Sequence, residues 1–253
     1  MNAVVLAGGP PDAVAALAPG APNKAFVPIA GKTLVQRTLA ALRSTPAVGR
    51  IVVVAPPTAH ARSDLAAADD VRLDGATMLA SLRSGLEGLP DDERVLVCAS
   101  DLPVLSRRAL DEFLLLAALR EADLVYGCVE RMTHERQFGD TPHTWARLRD
   151  GTFCGAGVVM LRPRIVPALD GLLGRLGAAR KNPLRLAAIF GTRALLRYAA
   201  GRLSLAEVEL RATQLLGASA AAAVCTHAEI AINVDRPSDV ALAERLVLIT
   251  SSD

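Results

Sequence analysis

The sequence predicts an α/β fold in which a doubly wound, mostly parallel sheet carries helices on both faces. Short apolar runs without polar alternation are typical of parallel strands buried on both sides. These runs alternate with amphipathic stretches of helical period, which favours a doubly wound sheet. The chain has 253 residues, of which 51% are hydrophobic, and no Pro/Gly/Ser-rich linker divides it. We therefore expect a single domain over residues 1–253 with one large core.

The elements follow from these two patterns. Predicted strands are Ala3–Leu6, Ile51–Ala55, Val95–Ala99, Leu124–Val129, Thr152–Leu161 and Ile230–Val234. Predicted helices are Thr33–Arg43, Thr77–Leu86, Arg107–Arg120, Ala206–Leu216 and Val240–Leu248. Ser106 is placed to cap the third helix, and Ser204 with Glu207 forms a capping box for the fourth.

Composition excludes several classes of protein. A net charge of +2 argues against a nucleic-acid binder that relies on bulk charge. No uncharged apolar run approaches the ~20 residues of a membrane span, and the first residues read as a strand rather than a signal peptide. We therefore expect a cytoplasmic protein. The four cysteines show no metal-ligand spacing, so we expect buried reduced thiols at Cys98, Cys128, Cys154 and Cys225.

The first strand runs into two glycines, Gly8 and Gly9, and a long loop then leads to Lys24. Glycines let the backbone turn sharply and bring N–H groups close to phosphate. A plain tight turn is the alternative. Lysine is scarce here: the 28 basic residues include only Lys24, Lys32 and Lys181. A retained lysine in an arginine-rich chain indicates a position where a planar guanidinium does not serve, unless codon usage explains it.

Two acidic residues follow predicted strands. Asp101 comes after Val95–Ala99, and Asp235 comes after Ile230–Val234. Ligands of open α/β sheets bind at the carboxyl ends of the strands, and Mg²⁺ prefers one or two carboxylates together with substrate phosphates. Both acids are therefore candidate Mg²⁺ ligands. Turn capping by Asp101, and capping by Asp235 of the helix that Pro237 helps to start, are the alternatives.

The segment Gly75–Leu86 places Ser81 and Gly85 four residues apart, on one face of a helix. That face suits contact with a nucleobase or ribose. An ordinary helix with a small-residue packing face is the alternative.

In this order, Leu-Ala-Gly-Gly, a lysine, Ala-Ser-Asp-Leu-Pro and Asn-Val-Asp-Arg-Pro-Ser-Asp resemble the nucleotidyltransferases of the nucleoside-diphosphate-sugar transferase fold, above all the molybdenum cofactor guanylyltransferase-like branch. The resemblance implies Mg²⁺ on Asp101 with Asp235 at a second metal position, and it makes Lys24 the phosphate-binding lysine. Residues 152–157, which include Gly155, resemble the acceptor-side strand. The implied nucleotide-binding residues are Leu6, Ala7, Gly8, Gly9, Lys24, Gly75 and Ser81.

The chain departs from that family in two places. Members usually carry an arginine between the glycines and the lysine, whereas residues 10–22 here contain no basic residue. A helical excursion at about residues 175–217 has no counterpart in small members of the family. Its basic part, Arg180–Arg211, is broken by Gly191 and Gly201. It has three interpretations: solvated scaffold, weak peripheral contact with anionic lipid, or a lid in which Lys181 reaches the acceptor's phosphate.

The predicted function is Mg²⁺-dependent nucleotidyl transfer from an NTP to a phosphorylated small-molecule acceptor, with release of pyrophosphate. Lys24, Asp101 and Asp235 are the predicted catalytic residues. The alternatives are a sugar-phosphate or polyol-phosphate nucleotidyltransferase and a nucleotide-binding regulator without turnover. A glycosyltransferase is less favoured, because the Asp101 segment lacks paired acids. The sequence selects neither the base nor the acceptor.

Overall fold

The computed structural model describes residues 1–139, 141–179 and 189–250. In these residues one eight-stranded sheet and a two-stranded hairpin form the β-structure. Its strands are β1 (Asn2–Leu6), β2 (Pro28–Ile29), β3 (Lys32–Thr33), β4 (Arg50–Ala55), β5 (Asp70–Leu73), β6 (Val95–Ala99), β7 (Leu124–Glu130), β8 (Ala146–Leu148), β9 (Gly151–Leu161) and β10 (Ala220–Cys225).

The main sheet has the order β10-β7-β9-β6-β1-β4-β5, with β8 paired to β9. Strands β6, β1, β4 and β5 are mutually parallel, and β10 is parallel to β7. Strand β9 is antiparallel to both β6 and β7. The carboxyl ends of the parallel strands therefore meet at one edge of the sheet, and the beginning of β9 lies at that same edge.

Among the described helices, four begin where a side chain accepts from one of their first backbone N–H groups. Thr33 and Ser204 each form a capping box, and the hydroxyl of Ser106 accepts from the amide of Ala109. The sequence predicts the caps at Ser106 and Ser204. The helices are α1 (Leu34–Ser44), α2 (Met78–Leu86), α3 (Arg107–Leu119), α4 (Arg131–Phe138), α5 (Val166–Ala179), α6 (Thr192–Ala199), α7 (Leu205–Leu216) and α8 (Pro237–Thr250).

Helices cover both faces of the sheet, so its central strands are buried on both sides. Val5 of β1 packs in the cluster that contains side chains of α1 and α3. Its neighbour Val4 packs in a second cluster with side chains of α2 and α5. Ala3, Val4 and Val5 are all fully buried. This explains why β1 reads as a continuous apolar run, and it confirms the predicted fold class.

One predicted strand is wrong. Residues Ile230–Val234 do not form a strand; a 3₁₀ helix spans Ala228–Ala231 and an irregular segment follows. The last strand is β10, an alanine-rich segment that pairs with β7 over six positions. Alanine is depleted in strands, so tertiary pairing overrides local preference at β10. The apolar side chains of Ile230 and Val234 are nevertheless fully buried, which accounts for the strand-like pattern.

The region predicted as a helical excursion contains α6 and α7 among the described residues, while Arg180, Lys181 and Arg185 lie outside them. Gly191 and Gly201 flank α6 and interrupt the helical segment, as predicted; both have positive φ angles. All four cysteines are buried free thiols, also as predicted. In the described parts of the chain, no helix combines the length and the apolar character needed to cross a bilayer.

Candidate active site

The carboxyl edge of the sheet gathers the loops that follow β1, β5 and β6. Leu6 is in register with Val54 of β4 and with Ala99 of β6. The Ala7–Gly9 turn and Asp101 therefore leave the sheet at the same level. Asp74 joins them from the end of β5. Parallel strands thus bring Asp74 beside Gly9, although the two lie 65 positions apart in the sequence.

The glycine turn needs both of its glycines. A Cβ on Gly8 would lie 2.4 Å from the Cβ of Asp74, so the two backbones can approach only without a side chain. Gly9 has a φ of +111°, which L side chains rarely adopt. Its amide donates to the carboxylate of Asp74 at 2.8 Å. The turn therefore presents a backbone N–H to an anionic oxygen, which is the interaction that a phosphate would use.

Asn23 connects this turn to the lysine segment. It is 2% exposed, and its amide group donates to the carbonyls of Ala7 and Gly9 at 2.9 and 3.2 Å. Its side-chain oxygen accepts from the amide of Ala25 and so caps the short 3₁₀ helix that begins at Lys24. Asn23 consequently fixes the position of Lys24 relative to the glycines, a role that the sequence did not reveal.

Lys24, Asp101 and Asp235 come together as predicted by the sequence. The Nζ of Lys24 lies 2.5 Å from Oδ2 of Asp101 and 2.5 Å from Oδ1 of Asp235. Asp101 is nearly buried, whereas the side chain of Asp235 is 58% exposed. One cation therefore sits between two carboxylates that are 134 residues apart, at the entrance to the site rather than within the core.

The backbone holds the second acid in place. The amide of Val234 donates to the carbonyl of Asp101 at 3.1 Å, which sets Asp235 beside Asp101. Asp239, rather than Asp235, accepts from the amides of Asp235 and Arg236 at the start of α8. The structure thus gives the helix-capping role to Asp239. The carboxylate of Asp235 is left to bind Lys24 and the side-chain amide of Asn233.

Burial and neighbouring charges shift the pKa values of Lys24 and Asp101 in opposite directions. Burial raises the pKa of Asp101 and Asp235 adds to the rise, while the charge and hydrogen bond of Lys24 oppose it. Burial lowers the pKa of Lys24, but its attraction to the two carboxylates outweighs this and leaves that pKa above its ordinary value. A cation between the two acids is therefore favoured, and the ionised form of Asp101 depends on it.

The donor set suits a hard divalent cation. Oδ1 of Asp101 is buried without a hydrogen-bond partner, which is costly for a carboxylate oxygen. The described residues contain no group of three or more His, Cys, Asp or Glu side chains with metal-binding geometry. Two carboxylates with one unsatisfied oxygen match Mg²⁺, which completes its shell with water and substrate phosphates.

The predicted base-side segment lies next to the glycine turn but packs differently from the prediction. Ser81 is 5% exposed, and its hydroxyl accepts from the amide of Gly75 at 3.0 Å. A Cβ on Gly85 would lie 2.5 Å from the side chain of Val4. This face of α2 therefore packs against the sheet, as in the alternative interpretation, and Ser81 sets the backbone of Gly75.

On the other side of Asp235 a polar cavity of about 510 Å³ opens. Gly155 at the beginning of β9 forms one wall, and His143, Asn233, Arg236 and Asp239 line it as well. A Cβ on Gly155 would come within 2.1 Å of the Tyr126 hydroxyl, so the glycine makes room for the tyrosine. The cavity is directly accessible to the carboxylate of Asp235. Lys181, the predicted contact to the acceptor's phosphate, lies outside the described residues.

Solved structures of other proteins share this architecture. A hypothetical transferase from Thermus thermophilus is 36% identical, with a TM-score of 0.81 over 94% of this chain and 98% of that one. Two proteins below 25% identity share the fold: 2-C-methyl-D-erythritol 4-phosphate cytidylyltransferase from T. thermophilus and 4-diphosphocytidyl-2C-methyl-D-erythritol synthase from Anaerococcus prevotii. The first is 20% identical, with a TM-score of 0.54 over 97% of this chain and 98% of that one. The second is 14% identical, with a TM-score of 0.59 over 98% and 97%.

No curated protein is significantly similar to this chain in sequence. The MobA-like NTP transferase domain, however, matches residues 3–186. The match takes in the glycine turn, Lys24 and Asp101, but Asp235 lies beyond its end. With the cluster of acids and lysine at the carboxyl edge of a nucleotidyltransferase-like sheet, this shows that the chain is an enzyme of the MobA-like NTP transferase family.

Proposed function

We propose that this enzyme transfers a nucleotidyl group from an NTP to a phosphorylated small-molecule acceptor and depends on Mg²⁺. The observation that carries the proposal is the Lys24 ammonium held between Asp101 and Asp235. The two acids form a position for a cation, and Oδ1 of Asp101 is buried and unsatisfied. Beside them, the glycine turn binds a carboxylate oxygen of Asp74 through the amide of Gly9. These are the parts that phosphoryl chemistry requires.

The reaction is an in-line displacement at phosphorus. An oxygen of the acceptor's phosphate attacks the α-phosphorus of the NTP and forms a new P–O bond. The bond between the α-phosphorus and the bridging oxygen of the β-phosphate breaks, and pyrophosphate leaves with its electron pair. No general base is required, because the attacking oxygen is already anionic.

The chain's residues divide the work. Asp101 and Asp235 would hold Mg²⁺, which supplies charge stabilisation to the phosphate oxygens of both reactants. The amides of the glycine turn face the phosphates, and Lys24 neutralises the charge that develops on the leaving pyrophosphate. Gly155 and the polar cavity would receive the acceptor, with Lys181 as a further contact to its phosphate.

The residues on the nucleotide side do not determine which base is bound. Gly75 follows β5 and Asp74, at the position that the family resemblance gives to the base. Ser81 acts on that position through the Gly75 amide. A thermal-shift series with the four NTPs, each with and without Mg²⁺, would name the base, because a ligand that binds the folded state raises the melting temperature.

Pyrophosphate release tests the reaction itself. The preferred NTP is incubated with Mg²⁺ and a panel of sugar, polyol and alkyl phosphates, and pyrophosphate is measured. We expect release that requires both Mg²⁺ and an acceptor. Tight NTP binding with no release for any acceptor would contradict the proposal and favour a regulator that only binds nucleotide.

A further inference from the structure

A second cavity, of about 600 Å³, lies beside the polar one. It is bordered by β7, β8, β9 and β10 on the sheet side and by α5, α6 and α7 on the other, and it is open to solvent. Its described lining is almost wholly apolar, with Leu124, Phe153, Leu195 and Leu215 among the larger side chains. A volume of this size matches that of small-molecule binding sites, which are lined mostly by hydrophobic groups.

Small side chains on β10 create part of this space. Residues 220–223 are four consecutive alanines, of which Ala220, Ala221 and Ala222 line the cavity. Strands normally carry β-branched and aromatic residues that fill the layer against a covering helix. Alanine at these positions instead leaves room between the strand and α7. The alanines of β10 therefore deepen the cavity, because larger side chains at these positions would fill it.

The apolar cavity adjoins the polar one along a shared border. Tyr126, Cys154 and Gly155 line both. Tyr126 is 44% exposed, and its hydroxyl lies directly over Gly155. The aromatic ring thus borders the apolar side while its polar tip reaches the polar side. A molecule that occupied both cavities would match their linings if it were polar at one end and apolar at the other.

The polar end of that path leads to the two acids. Asp235, with Asn233 and Arg236, lines the polar cavity, and Asp235 shares Lys24 with Asp101. The reacting phosphate of an acceptor would therefore lie at this end. The described wall of the apolar cavity carries charge only at Glu207, Glu209 and Arg211, all of which have partners. Glu207 is paired with Arg197, Glu209 accepts from the Ala222 amide, and Arg211 donates to the carbonyl of Ile189.

We propose that the acceptor is an amphiphile: the monophosphate of an aliphatic alcohol, of the prenyl or alkyl class. Its phosphate lies in the polar cavity and its hydrocarbon chain fills the cavity under α6 and α7. This rests on the proposed function, and the chemistry is the same displacement, with the alkyl phosphate's oxygen as the attacking group. Helices α6 and α7 then serve as one wall of the hydrocarbon site.

The test compares acceptors and uses a matched pair of variants. Geranyl phosphate, below its micellar concentration, and glycerol phosphate are compared by kcat/KM for pyrophosphate release. Geraniol, which has no phosphate and cannot react, is titrated separately by calorimetry. Ala212 lines the cavity from α7, whereas Ala206 on the same helix is exposed. Ala212→Phe fills the cavity, and Ala206→Phe is its control.

We expect geranyl phosphate to exceed glycerol phosphate by at least about tenfold in kcat/KM, an effect that the burial of about two methylene groups supplies. We expect Ala212→Phe to remove this advantage and the binding of geraniol, while Ala206→Phe keeps both. If Ala212→Phe does not fold, the comparison of acceptors and the geraniol titration on the unaltered chain decide.

Three results would overturn the inference in different ways. Efficient transfer to glycerol phosphate with no advantage for geranyl phosphate and no binding of geraniol refutes the hydrocarbon site and leaves the proposed function standing. The same lack of geraniol binding in a chain that sediments as a dimer would mean that a second copy covers the cavity. Binding of geraniol without transfer to either phosphate refutes the amphiphilic acceptor together with the proposed reaction.

Discussion

The substitution Asp101→Asn separates stability from activity at this site. Asn keeps the shape of the side chain, so no cavity forms. The carboxylate is nearly buried, burial raises its pKa, and its Oδ1 has no partner. Burying a charge costs several kcal/mol, and the attraction of a partner roughly offsets that cost. Removal of the charge therefore gives up the attraction to Lys24 and the desolvation cost together.

The expected change in unfolding free energy is within about 1 kcal/mol in either direction. For a chain of this length that corresponds to a shift of at most about 4 °C in melting temperature. Turnover should respond very differently, because a neutral amide holds Mg²⁺ poorly. A loss of about 1000-fold, or roughly 4 kcal/mol of transition-state stabilisation, is expected.

The assay is pyrophosphate release at saturating NTP, with a melting curve of the same preparation. Asp111→Asn is the matched control, since Asp111 is exposed and forms a surface pair with Arg107. The control should keep full turnover. If Asp101→Asn retains more than about a tenth of the activity, the metal assignment fails. If its melting temperature instead falls by more than about 10 °C, Asp101 is a structural residue.

Three further predictions address neighbouring features. Lys24→Arg should reduce turnover by about tenfold or more, because a planar guanidinium does not fit between two carboxylates at 2.5 Å. Lys32→Arg, at an exposed position, is the control. Full activity of Lys24→Arg would refute the argument from lysine scarcity. Gly9→Ala and Gly20→Ala both place a side chain at positive φ in open space, so each should lower the free energy of unfolding by about 1–3 kcal/mol. Only Gly9→Ala should weaken NTP binding. Equal affinities of the two variants for NTP would show that the glycine turn does not bind the nucleotide. His134 is fully buried, and its pKa is lowered to about 4, mainly by burial and then by His143. Because the unfolded chain takes up a proton first, the free energy of unfolding should fall by about 2 kcal/mol between pH 7 and pH 5, as measured by urea unfolding. A His134→Gln variant whose unfolding free energy falls by the same amount over this range would contradict the assignment.

The sequence predicts the first half of the fold well because local and tertiary preferences agree there. Val95–Ala99 is a continuous apolar run, and it forms β6 with the predicted bounds. Asp101 follows from the rule that ligands bind at the carboxyl ends of strands. Lys24 follows from its rarity among 28 basic residues. Each of these signals is local, so no knowledge of partners in space is required.

The failures arise where partners in space decide. β10 is built from alanines that disfavour strands, and its pairing with β7 supplies what local preference lacks. Asp74 was missed although it also follows a strand, because β5 has only four residues and its middle is half-buried. The same rule that found Asp101 would have found it. Asn23 has no such signal, since its bonds to Ala7 and Gly9 exist only once the turn has formed.

We propose that acceptor specificity resides on one side of strand β9. This antiparallel strand separates β6, β1, β4 and β5, where the nucleotide is proposed to bind, from β7 and β10, where the acceptor is proposed to bind. The family match ends at residue 186, so it covers all four strands on the nucleotide side, whereas α6, α7, β10 and Asp235 lie beyond it. Asp101 and Asp235 lie on opposite sides of this boundary and share one cation, the Lys24 ammonium. Under this proposal, residues beyond 186 set the preference for the acceptor, while the matched residues keep the geometry of the nucleotide site.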